Sequence, residues 1–170
     1  MNRIAQFEKV SFNEFLISWQ KLYPTDNKER IKEIYDNIKL PIRATKGSAG
    51  YDFFSPIAFN LSSNETILLP TGVRIKIEEG WFLGVFPKSG LGFKYRLQLD
   101  NTTGIIDSDY YYSDNEGHIF VKLTNDSKSP KILQIKESQS ICQGILLPFG
   151  ITYDDKVEDI RNGGLGSTTK

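Results

Sequence analysis

Residues 73 to 87 read Val-Arg-Ile-Lys-Ile-Glu-Glu-Gly-Trp-Phe-Leu-Gly-Val-Phe-Pro. Apolar and basic side chains alternate over the first five positions, which is typical of a strand with one buried face. From Trp81 to Phe86 the run is apolar apart from one glycine, and Pro87 closes it. This second pattern indicates a strand that is buried throughout. The stretch therefore predicts two consecutive β-strands.

Short runs of the same kind continue on both sides of this stretch. After Pro41, runs rich in β-branched and aromatic residues alternate with clusters of Gly, Pro, Asn and Ser. Closely spaced strands with no helical pattern between them favour a β-sandwich or a β-barrel. The chain is therefore predicted to be mainly β after Pro41, with further strands at residues 66–69, 96–100, 119–123, 131–135 and 145–147.

The segment before this β region carries a helical pattern instead. Ser11 and Glu14 are spaced as in a capping box, in which the serine caps the helix and the glutamate reaches back. Pro24 ends the first helix, and Asp26 or Glu29 could cap a second one. We expect the two amphipathic helices to cover the outside of the main domain; the alternative is an appendage that binds a protein partner or another subunit. The apolar positions are Phe12, Phe15, Leu16, Trp19 and Leu22 in the first helix and Ile31, Ile34, Tyr35 and Ile38 in the second.

The composition argues against several classes of function. The 170-residue chain has 21 Lys and Arg and 21 Asp and Glu residues, so its net charge is near zero. That balance argues against sequence-independent nucleic-acid binding, which needs a basic face. No apolar run has membrane-spanning length, and the first residues lack the apolar core of a signal peptide. The single cysteine, Cys142, excludes an intramolecular disulfide and fits a core position in a reducing compartment. We therefore expect a cytoplasmic protein with neither a membrane nor a nucleic-acid partner.

The segment with the greatest potential for chemistry is Asn101-Thr102-Thr103-Gly104-Ile105-Ile106-Asp107-Ser108-Asp109-Tyr110. Its apolar pair, Ile105 and Ile106, is followed by Asp107-Ser108-Asp109. These residues favour a turn, because Asp and Ser side chains readily hydrogen-bond their own backbone. By itself this pattern predicts the first arm of a β-hairpin with solvated carboxylates at the turn. A carboxylate at a strand end that faces a pocket can also orient a water molecule, so Asp107 is a candidate for that role.

Together with four other stretches, this segment resembles the five sequence motifs of the trimeric dUTPases (deoxyuridine triphosphate nucleotidohydrolases), in the family's order. The resemblance covers about residues 38 to 170, and the segment Asn115-Glu116-Gly117-His118-Ile119-Phe120 is similar to forms from Gram-positive bacteria and their phages. The other four stretches are Gly47-Ser48-Ala49-Gly50-Tyr51-Asp52, Pro87-Lys88-Ser89-Gly90-Leu91-Gly92, Ser140-Ile141-Cys142-Gln143-Gly144 and Arg161-Asn162-Gly163-Gly164-Leu165-Gly166-Ser167-Thr168.

The helical pattern and the resemblance together predict three parts of the chain, of which the resemblance implies the second and the third. A distorted jelly-roll β-barrel would span residues 39–150, after a short N-terminal helical extension at residues 1–38. Residues 151–170, which are first charged and then rich in Gly, Ser and Thr, would be a flexible arm that closes over the active site. In the family the arm often comes from a neighbouring subunit, so the resemblance implies a homotrimer with shared active sites.

The resemblance also implies a reaction, the hydrolysis of dUTP to dUMP and pyrophosphate. Asp107 would orient the water that attacks the α-phosphorus. Mg²⁺ would be held by the three phosphates and by water, without a direct protein ligand, and Asp52 would support the network around it. The chain has no His/Cys cluster with zinc spacing, and we expect its only histidine, His118, to be an exposed polar residue.

The second and fourth motifs correspond to contacts with the phosphates. By resemblance, Ser89 and Gly90 contact the α- and β-phosphates, in a tight turn whose backbone N–H groups can form an anion nest. Lys88 stands where the family usually has arginine, so it keeps the charge but loses the planar fork. Gln143 corresponds to a further contact on the phosphate side.

The arm motif adds contacts to the far end of the substrate. Arg161 can clamp the γ-phosphate with its planar guanidinium, and Gly166 and Ser167 add hydrogen-bond donors. Leu165 stands where the family usually has a phenylalanine that stacks on uracil. A leucine covers the base but cannot stack, so a tyrosine at 111–112 is an alternative lid.

Recognition of base and sugar falls to the central motif. Asn101 carries both a donor and an acceptor, as the N3–H and O4 of uracil require, and Gly104 and Ile106 are assigned to the same substrate-binding surface. A site built on hydrogen bonds discriminates more strongly than one that judges size alone. Tyr110 corresponds to the aromatic residue that packs against deoxyribose and excludes a 2′-hydroxyl; the alternative for Tyr110 is ordinary strand packing.

Two other functions are compatible with the pattern. The first is a dCTP deaminase, a class of enzyme that shares the fold. The second is a regulatory module that keeps the fold and binds a protein partner through the N-terminal helices. Asp107 separates hydrolysis from partner binding, because mutating it would abolish the first and leave the second largely intact.

Overall fold

The computed structural model describes residues 2 to 159 and residue 161. In this part of the chain twelve strands accompany three α-helices and one 3-10 helix, and none of the helices is long and apolar enough to cross a membrane. In chain order the elements are β1 (Ala5–Lys9), α1 (Phe12–Leu22), α2 (Lys28–Asn37), β2 (Ile42–Arg43), β3 (Tyr51–Phe54), β4 (Phe59–Leu61), β5 (Thr66–Pro70), β6 (Val73–Ile77), β7 (Trp81–Pro87), α3 (Ser89–Tyr95), β8 (Leu97–Leu99), β9 (Gly104–Ile106), the 3-10 helix (Ser108–Tyr112), β10 (Phe120–Asn125), β11 (Leu133–Ile135) and β12 (Ser140–Pro148).

The strands form antiparallel sheets, and the largest of them carries the site. Its strand order is β2-β3-β12-β7-β9, with the nine-residue β12 at the centre. On the far side of β7, Leu83 lies opposite Ile106 and Val85 lies opposite Gly104 of β9. The other sheets have the orders β5-β10-β8, β1-β6 and β4-β11. The prediction of a mainly β fold is thus confirmed, as separate sheets rather than one continuous closed sheet within residues 2 to 159.

Most of the predicted strands are present, and the missed ones are short or polar. Residues 73 to 87 form β6 and β7 as predicted, and the five further runs overlap β5, β8, β10, β11 and β12. Strands β1, β2, β3 and β4 were not predicted. β1 has the sequence Ala-Gln-Phe-Glu-Lys, and it is a strand because it pairs with β6, from Ala5 opposite Ile77 to Lys9 opposite Val73.

The hairpin predicted at Asp107 is wrong. A 3-10 helix follows Asp107, and the N–H of Tyr110 bonds the carbonyl of Asp107 at 3.2 Å. β9 pairs with β7, while β10 pairs with β5 and β8. The acidic turn therefore begins a short helix that carries the chain to another sheet, instead of reversing it onto β9.

Helix α1 forms as predicted, but only half of its capping box does. Ser11 Oγ accepts the N–H of Glu14 at 3.1 Å. The Glu14 carboxylate does not return to the cap; it accepts from Ser18 and contacts His118. The N–H of Ser11 is bound by Glu116, at 2.7 Å, so a residue distant in sequence completes the cap.

Helix α2 starts at Lys28, between the starts that a cap at Asp26 and a cap at Glu29 would give. Its N-cap is Asn27, whose Oδ1 accepts the N–H of Arg30 at 2.8 Å, so neither Asp26 nor Glu29 caps the helix. Asp26 instead accepts a hydrogen bond from the indole N–H of Trp19 at 2.8 Å. A tertiary contact thus takes the carboxylate that could have capped the helix.

The apolar faces of α1 and α2 are buried in the same core as the sheets. Phe15, Trp19 and Ile31 are fully shielded from solvent and join a cluster that includes Leu69 of β5 and Ile75 of β6. Burial of an apolar side chain of this size stabilises a fold by about 1.5–3 kcal/mol. The N-terminal segment is therefore an integral part of the hydrophobic core.

Candidate active site

The central motif opens into a cavity of about 410 Å³. Most of its wall is apolar and comes from β5, β7, β8, β9 and β10, which suits the face of a base or a sugar. A carboxylate at the end of β9 and an arginine supply strong charges. Of the residues predicted for the site, six line this one cavity: Asn101, Gly104, Ile106, Asp107, Tyr110 and Arg161.

Arg161 bridges two carboxylates at the mouth of this cavity. Its Nη2 donates to Asp107 Oδ2 at 2.6 Å, and its Nε lies 3.1 Å from Asp109 Oδ1 in an ion pair. The second contact is an ion pair without hydrogen-bond geometry, so Nε is buried without a hydrogen-bond partner. The guanidinium carbon lies 5.7 Å from the centre of the Tyr110 ring. The cation expected to clamp a phosphate is thus beside Asp107 itself.

Tyr110 forms a rigid part of the cavity wall. Its side chain is only 6% exposed. The hydroxyl donates to the carbonyl of His118 and accepts from Asn115 Nδ2, both at 2.8 Å. Burial raises the pKa of Tyr110, and the hydrogen bond from Asn115 partly opposes that rise. The phenol is therefore neutral and fixed in one orientation.

Gly104 is packed closely between strand and side chain. A Cβ built on it would lie 3.2 Å from Val85 Cβ and 3.8 Å from Asn101 Nδ2. A side chain here would crowd Val85 and push β9 away from β7, whereas the distance to Asn101 is an ordinary contact. The glycine therefore allows the close pairing of β9 with β7 beside the cavity that the exposed Asn101 also lines.

The remaining predicted residues form a second group around β3, β12 and the start of α3. Lys88 Nζ donates to Asp52 Oδ1 at 2.8 Å, and Gln143 Nε2 donates to the carbonyl of Pro87 at 3.0 Å. The exposed Ser89 opens α3 immediately after Lys88. Ser89 and its neighbour Gly90 thus present N–H groups from the first turn of a helix, not from the tight turn that was predicted.

The two groups lie far apart on the central sheet of one chain. Asp52 is on β3 and Asp107 follows β9, three strands away in the order β3-β12-β7-β9, which is about 14 Å at the usual strand spacing. Asp52 lies opposite Gln143 of β12, which in turn lies opposite Phe86 of β7. Asp107 comes one residue after Ile106, which lies opposite Leu83 of β7. The two carboxylates are therefore also offset by about 13 Å along the strands. The two carboxylates are therefore about 20 Å apart, a distance that the phosphates of one nucleotide do not bridge.

Two polar or titratable residues near the site, Cys142 and His118, are fully buried. Cys142 is fully buried, and burial raises the pKa of its thiol, so it is an unreactive core residue as expected. His118 was predicted to be exposed, but it is completely buried between α1 and the turn at Gly72. That prediction is wrong because an isolated histidine carries no sequence pattern that reports burial.

The arm motif after Arg161, with the predicted site residues Leu165, Gly166 and Ser167, lies outside the described residues. Among the residues that are described, no group of three or more His, Cys, Asp or Glu side chains is arranged to hold a metal ion. The carboxylates of Asp52 and Asp107 each already face a cationic side chain.

Comparison with solved structures shows where this fold occurs. The dUTPase from Streptococcus mutans has a TM-score of 0.62 with this chain, at 28% identity, and the match covers 86% of this chain and 97% of the other. The dUTPase from phage phi11 of S. aureus has a TM-score of 0.62 at 21% identity, covering 93% and 98%. The fold and the site thus define the class of protein, a β-sheet enzyme that hydrolyses nucleotides.

Sequence comparison identifies the family. The family model dUTPase matches residues 36–169. The deoxyuridine 5'-triphosphate nucleotidohydrolase of Lactococcus lactis is 34% identical over 134 residues, which are 77% of this chain and 88% of that protein. The same enzyme from Dictyoglomus turgidum is 37% identical over 147 residues, 81% of this chain and 95% of that protein. The chain belongs to the dUTPase family, and it is an enzyme that hydrolyses dUTP.

Proposed function

We propose that Asp107 orients the water that attacks the α-phosphorus of dUTP, so that the products are dUMP and pyrophosphate. The observation that carries this proposal is the position of Asp107 at the end of β9, on the wall of the cavity that Asn101 and Tyr110 also line. A positioned carboxylate that helps a water to attack is worth about 10²–10⁴-fold in rate. Arg161, 2.6 Å from the carboxylate, is close enough to exchange this partner for a phosphate of the substrate.

Base and sugar selection belong to the same cavity. The Asn101 amide offers a donor and an acceptor to uracil, and Gly104 and Ile106 complete that side of the wall. Tyr110 packs against the deoxyribose, where its buried and doubly hydrogen-bonded ring leaves no room for a 2′-hydroxyl. The enzyme is therefore selective for a uracil base on a deoxyribose.

We further propose a homotrimer in which each active site is shared between subunits. Ser89, Gly90 and Gln143 are the proposed phosphate contacts, yet strand geometry puts their group about 20 Å from Asp107 of the same chain. A second copy can bring its phosphate-binding group to this cavity, since cyclic assemblies join different faces of identical subunits. Lys88, held by Asp52 at 2.8 Å, would then supply positive charge beside the substrate.

Mg²⁺ is the proposed cofactor. Mg²⁺ prefers oxygen ligands and often keeps several waters while it is bound to the phosphates of a substrate. There it neutralises negative charge and orders the triphosphate. The residues fit that mode of binding: Asp52 and Asp107 are separate and each is paired with a cation, so the protein offers no chelating cluster in the described residues. A solved dUTPase from phage phi11 of S. aureus coordinates a structural Mg(II) ion.

A role in binding a protein partner through the N-terminal helices has less support. The apolar faces of α1 and α2 are occupied by the core of their own chain, and Ile17 is the large apolar side chain of α1 that is exposed. A cytoplasmic location is proposed because the substrate is a nucleotide and the single cysteine is a buried free thiol.

The test of this function measures pyrophosphate release with Mg²⁺ from dUTP, dTTP, dCTP and UTP. We expect turnover of dUTP alone, and Asp107→Asn should lower kcat by about 10²–10⁴-fold with a small change in KM. Asp109→Asn is the matched control, because it removes a carboxylate that also pairs with Arg161 but lies two residues away. Equal activity of Asp107→Asn and the unmodified enzyme would contradict the assigned role, and ammonia from dCTP would identify a deaminase.

A further inference from the structure

The segment that carries Tyr110 depends on contacts from elsewhere in the chain. Ser108–Tyr112 is a 3-10 helix of five residues. Such helices are weakly stable by themselves, because their hydrogen-bond geometry is poorer than that of an α-helix. The position of the Tyr110 ring in the cavity wall must therefore be set by the residues that surround it.

The immediate partners of Tyr110 come from the same loop. Asn115 Nδ2 donates to the Tyr110 hydroxyl at 2.8 Å and also lies 3.4 Å from the carbonyl of His118. That carbonyl accepts the hydroxyl proton of Tyr110. Because both capacities of the hydroxyl are used, the ring orientation follows the backbone of His118.

His118 is itself clamped by helix α1. Its Nε2 accepts the N–H of Gly72 at 2.9 Å, so in the neutral ring the proton is on Nδ1 and is donated to Glu14 Oε1, 3.2 Å away. Glu14 Oε1 is also held by Ser18 Oγ at 2.6 Å. The imidazole is fully buried, so water cannot replace either of its bonds.

Two further ties join the same loop to the N-terminal segment. The N–H and Oγ of Ser11 donate to the two carboxylate oxygens of Glu116, at 2.7 and 2.6 Å. The hydroxyl of Tyr111 donates to Glu8 of β1 at 2.8 Å, and the Arg74 guanidinium lies 4.4 Å from the centre of the Tyr111 ring. The loop is thus fastened to β1 and to the N-cap of α1 at two residues that follow Tyr110.

We propose that α1 is a positioning element of the nucleotide site, in which Glu14 acts through His118, together with Asn115, to hold Tyr110 where it excludes a ribose 2′-hydroxyl. This inference rests on the proposed contact of Tyr110 with the sugar. The dUTPase family model begins at residue 36, so Glu14 lies in a part of the chain that the model does not include. Selection of deoxyribose by this enzyme therefore depends on residues from outside the common family core.

The experiment compares the ratio of kcat/KM for dUTP to that for UTP, measured well below the thermal transition of each variant. Glu14→Ala removes the acceptor of the His118 imidazole and Asn115→Ala removes a donor to the Tyr110 hydroxyl, so we expect each to lower the ratio by about 3- to 10-fold. Glu14→Gln should keep most of the ratio, because its side-chain oxygen can still accept from His118. The exposed Asn13→Ala, on the same helix, should leave the ratio unchanged.

Tyr110→Leu and Tyr110→Phe distinguish the positioning contacts of Tyr110 from the proposed contact of its ring with the sugar. If Tyr110→Leu lowers the ratio while Glu14→Ala and Asn115→Ala do not, the positioning role is overturned, even if those variants melt earlier. If Tyr110→Leu also leaves the ratio unchanged, the proposed contact with the sugar is wrong and the inference fails with it. Tyr110→Phe keeps the ring and removes both hydrogen bonds of the hydroxyl. An unchanged ratio in this variant would overturn the positioning role even where a Glu14 variant does not fold, because the contacts with His118 and Asn115 would then not hold the ring in place.

Discussion

His118 is a fully buried titratable residue with both ring nitrogens hydrogen-bonded. The charges nearest to it are the carboxylates of Glu14 and Glu116, with Arg74 beyond them and the neutral Tyr110 hydroxyl on its carbonyl. Burial lowers the pKa of His118 below its ordinary value of 6.5, although both carboxylates act to raise it. Its Nε2 is occupied as an acceptor, so a proton could be added there only by breaking the hydrogen bond from Gly72.

A dependence of stability on pH follows from this lowered pKa. The unfolded chain takes up a proton at His118 near pH 6.5, whereas the folded chain does so only at a lower pH, so stability should be full above 6.5 and fall as the pH drops below it. The slope should reach at most about 1.4 kcal/mol per pH unit. Urea unfolding between pH 7.5 and 5.5 measures it, and His118→Gln should flatten the slope in this window. An identical slope in the variant would contradict the prediction, because the lowered pKa of Glu116 acts at lower pH.

At the scale of elements, the turn between β5 and β6 joins the helices to the sheets. Gly72 has a φ of +70°, its carbonyl accepts the N–H of Val10 at 3.0 Å, and its N–H bonds His118. A Cβ at this position would overlap Ile38 Cδ1 and approach the Phe15 ring to 3.2 Å. The backbone here can therefore approach α1 and the end of α2 only because the residue has no side chain.

Gly72→Ala should destabilise the protein by about 2–4 kcal/mol, as the sum of the left-handed backbone and the overpacking of Ile38. Gly80→Ala is a matched control, because Gly80 has a φ of +81° but no atom within 4 Å of an added Cβ. The control should lose only the backbone part, about 1–2 kcal/mol. Urea denaturation of both variants measures the difference, and equal losses would show that packing at Gly72 contributes little.

At the scale of the whole molecule, the central sheet separates two groups of functional residues. β12 carries Gln143 opposite Asp52 on one side, whereas Asp107 emerges beyond β9 at the other edge of β7. Each group is well ordered by its own contacts, so neither can move across the sheet to meet the other. Assembly of several chains is the arrangement that can bring the two groups to one nucleotide.

Mixing two inactive variants tests this shared site. Ser89→Ala lacks a phosphate contact and Asp107→Asn lacks the carboxylate, and each alone should retain about one hundredth of the activity or less. Co-expression should restore about a quarter of the wild-type sites if a cyclic trimer builds each site from two subunits. Activity no higher than that of the separate variants would show that each chain carries a complete site. Co-purification through two different tags confirms that mixed assemblies have formed.

Local sequence patterns were enough to predict the strands with strong patterns, the two N-terminal helices and six residues of the central cavity. Alternation in β6 and the apolar run of β7 are local signals, as is the cap of α1 by Ser11. The motif around Asp107 is also local, and six of the predicted site residues do meet in one cavity. Local signals persist into the fold because each depends on neighbours only a few residues away.

Only the tertiary structure decided which distant partners these residues have. Three features depend on contacts that no local sequence pattern predicts: the 3-10 helix after Asp107, the burial of His118 and the strand β1. Glu14 and His118 are 104 residues apart in the chain, and Asp52 and Lys88 are 36 apart. By its chemistry a carboxylate can equally well cap a helix, complete a capping box or accept a hydrogen bond from a buried imidazole. The choice among them was made by packing, because a buried polar group must find its partner wherever the fold places one.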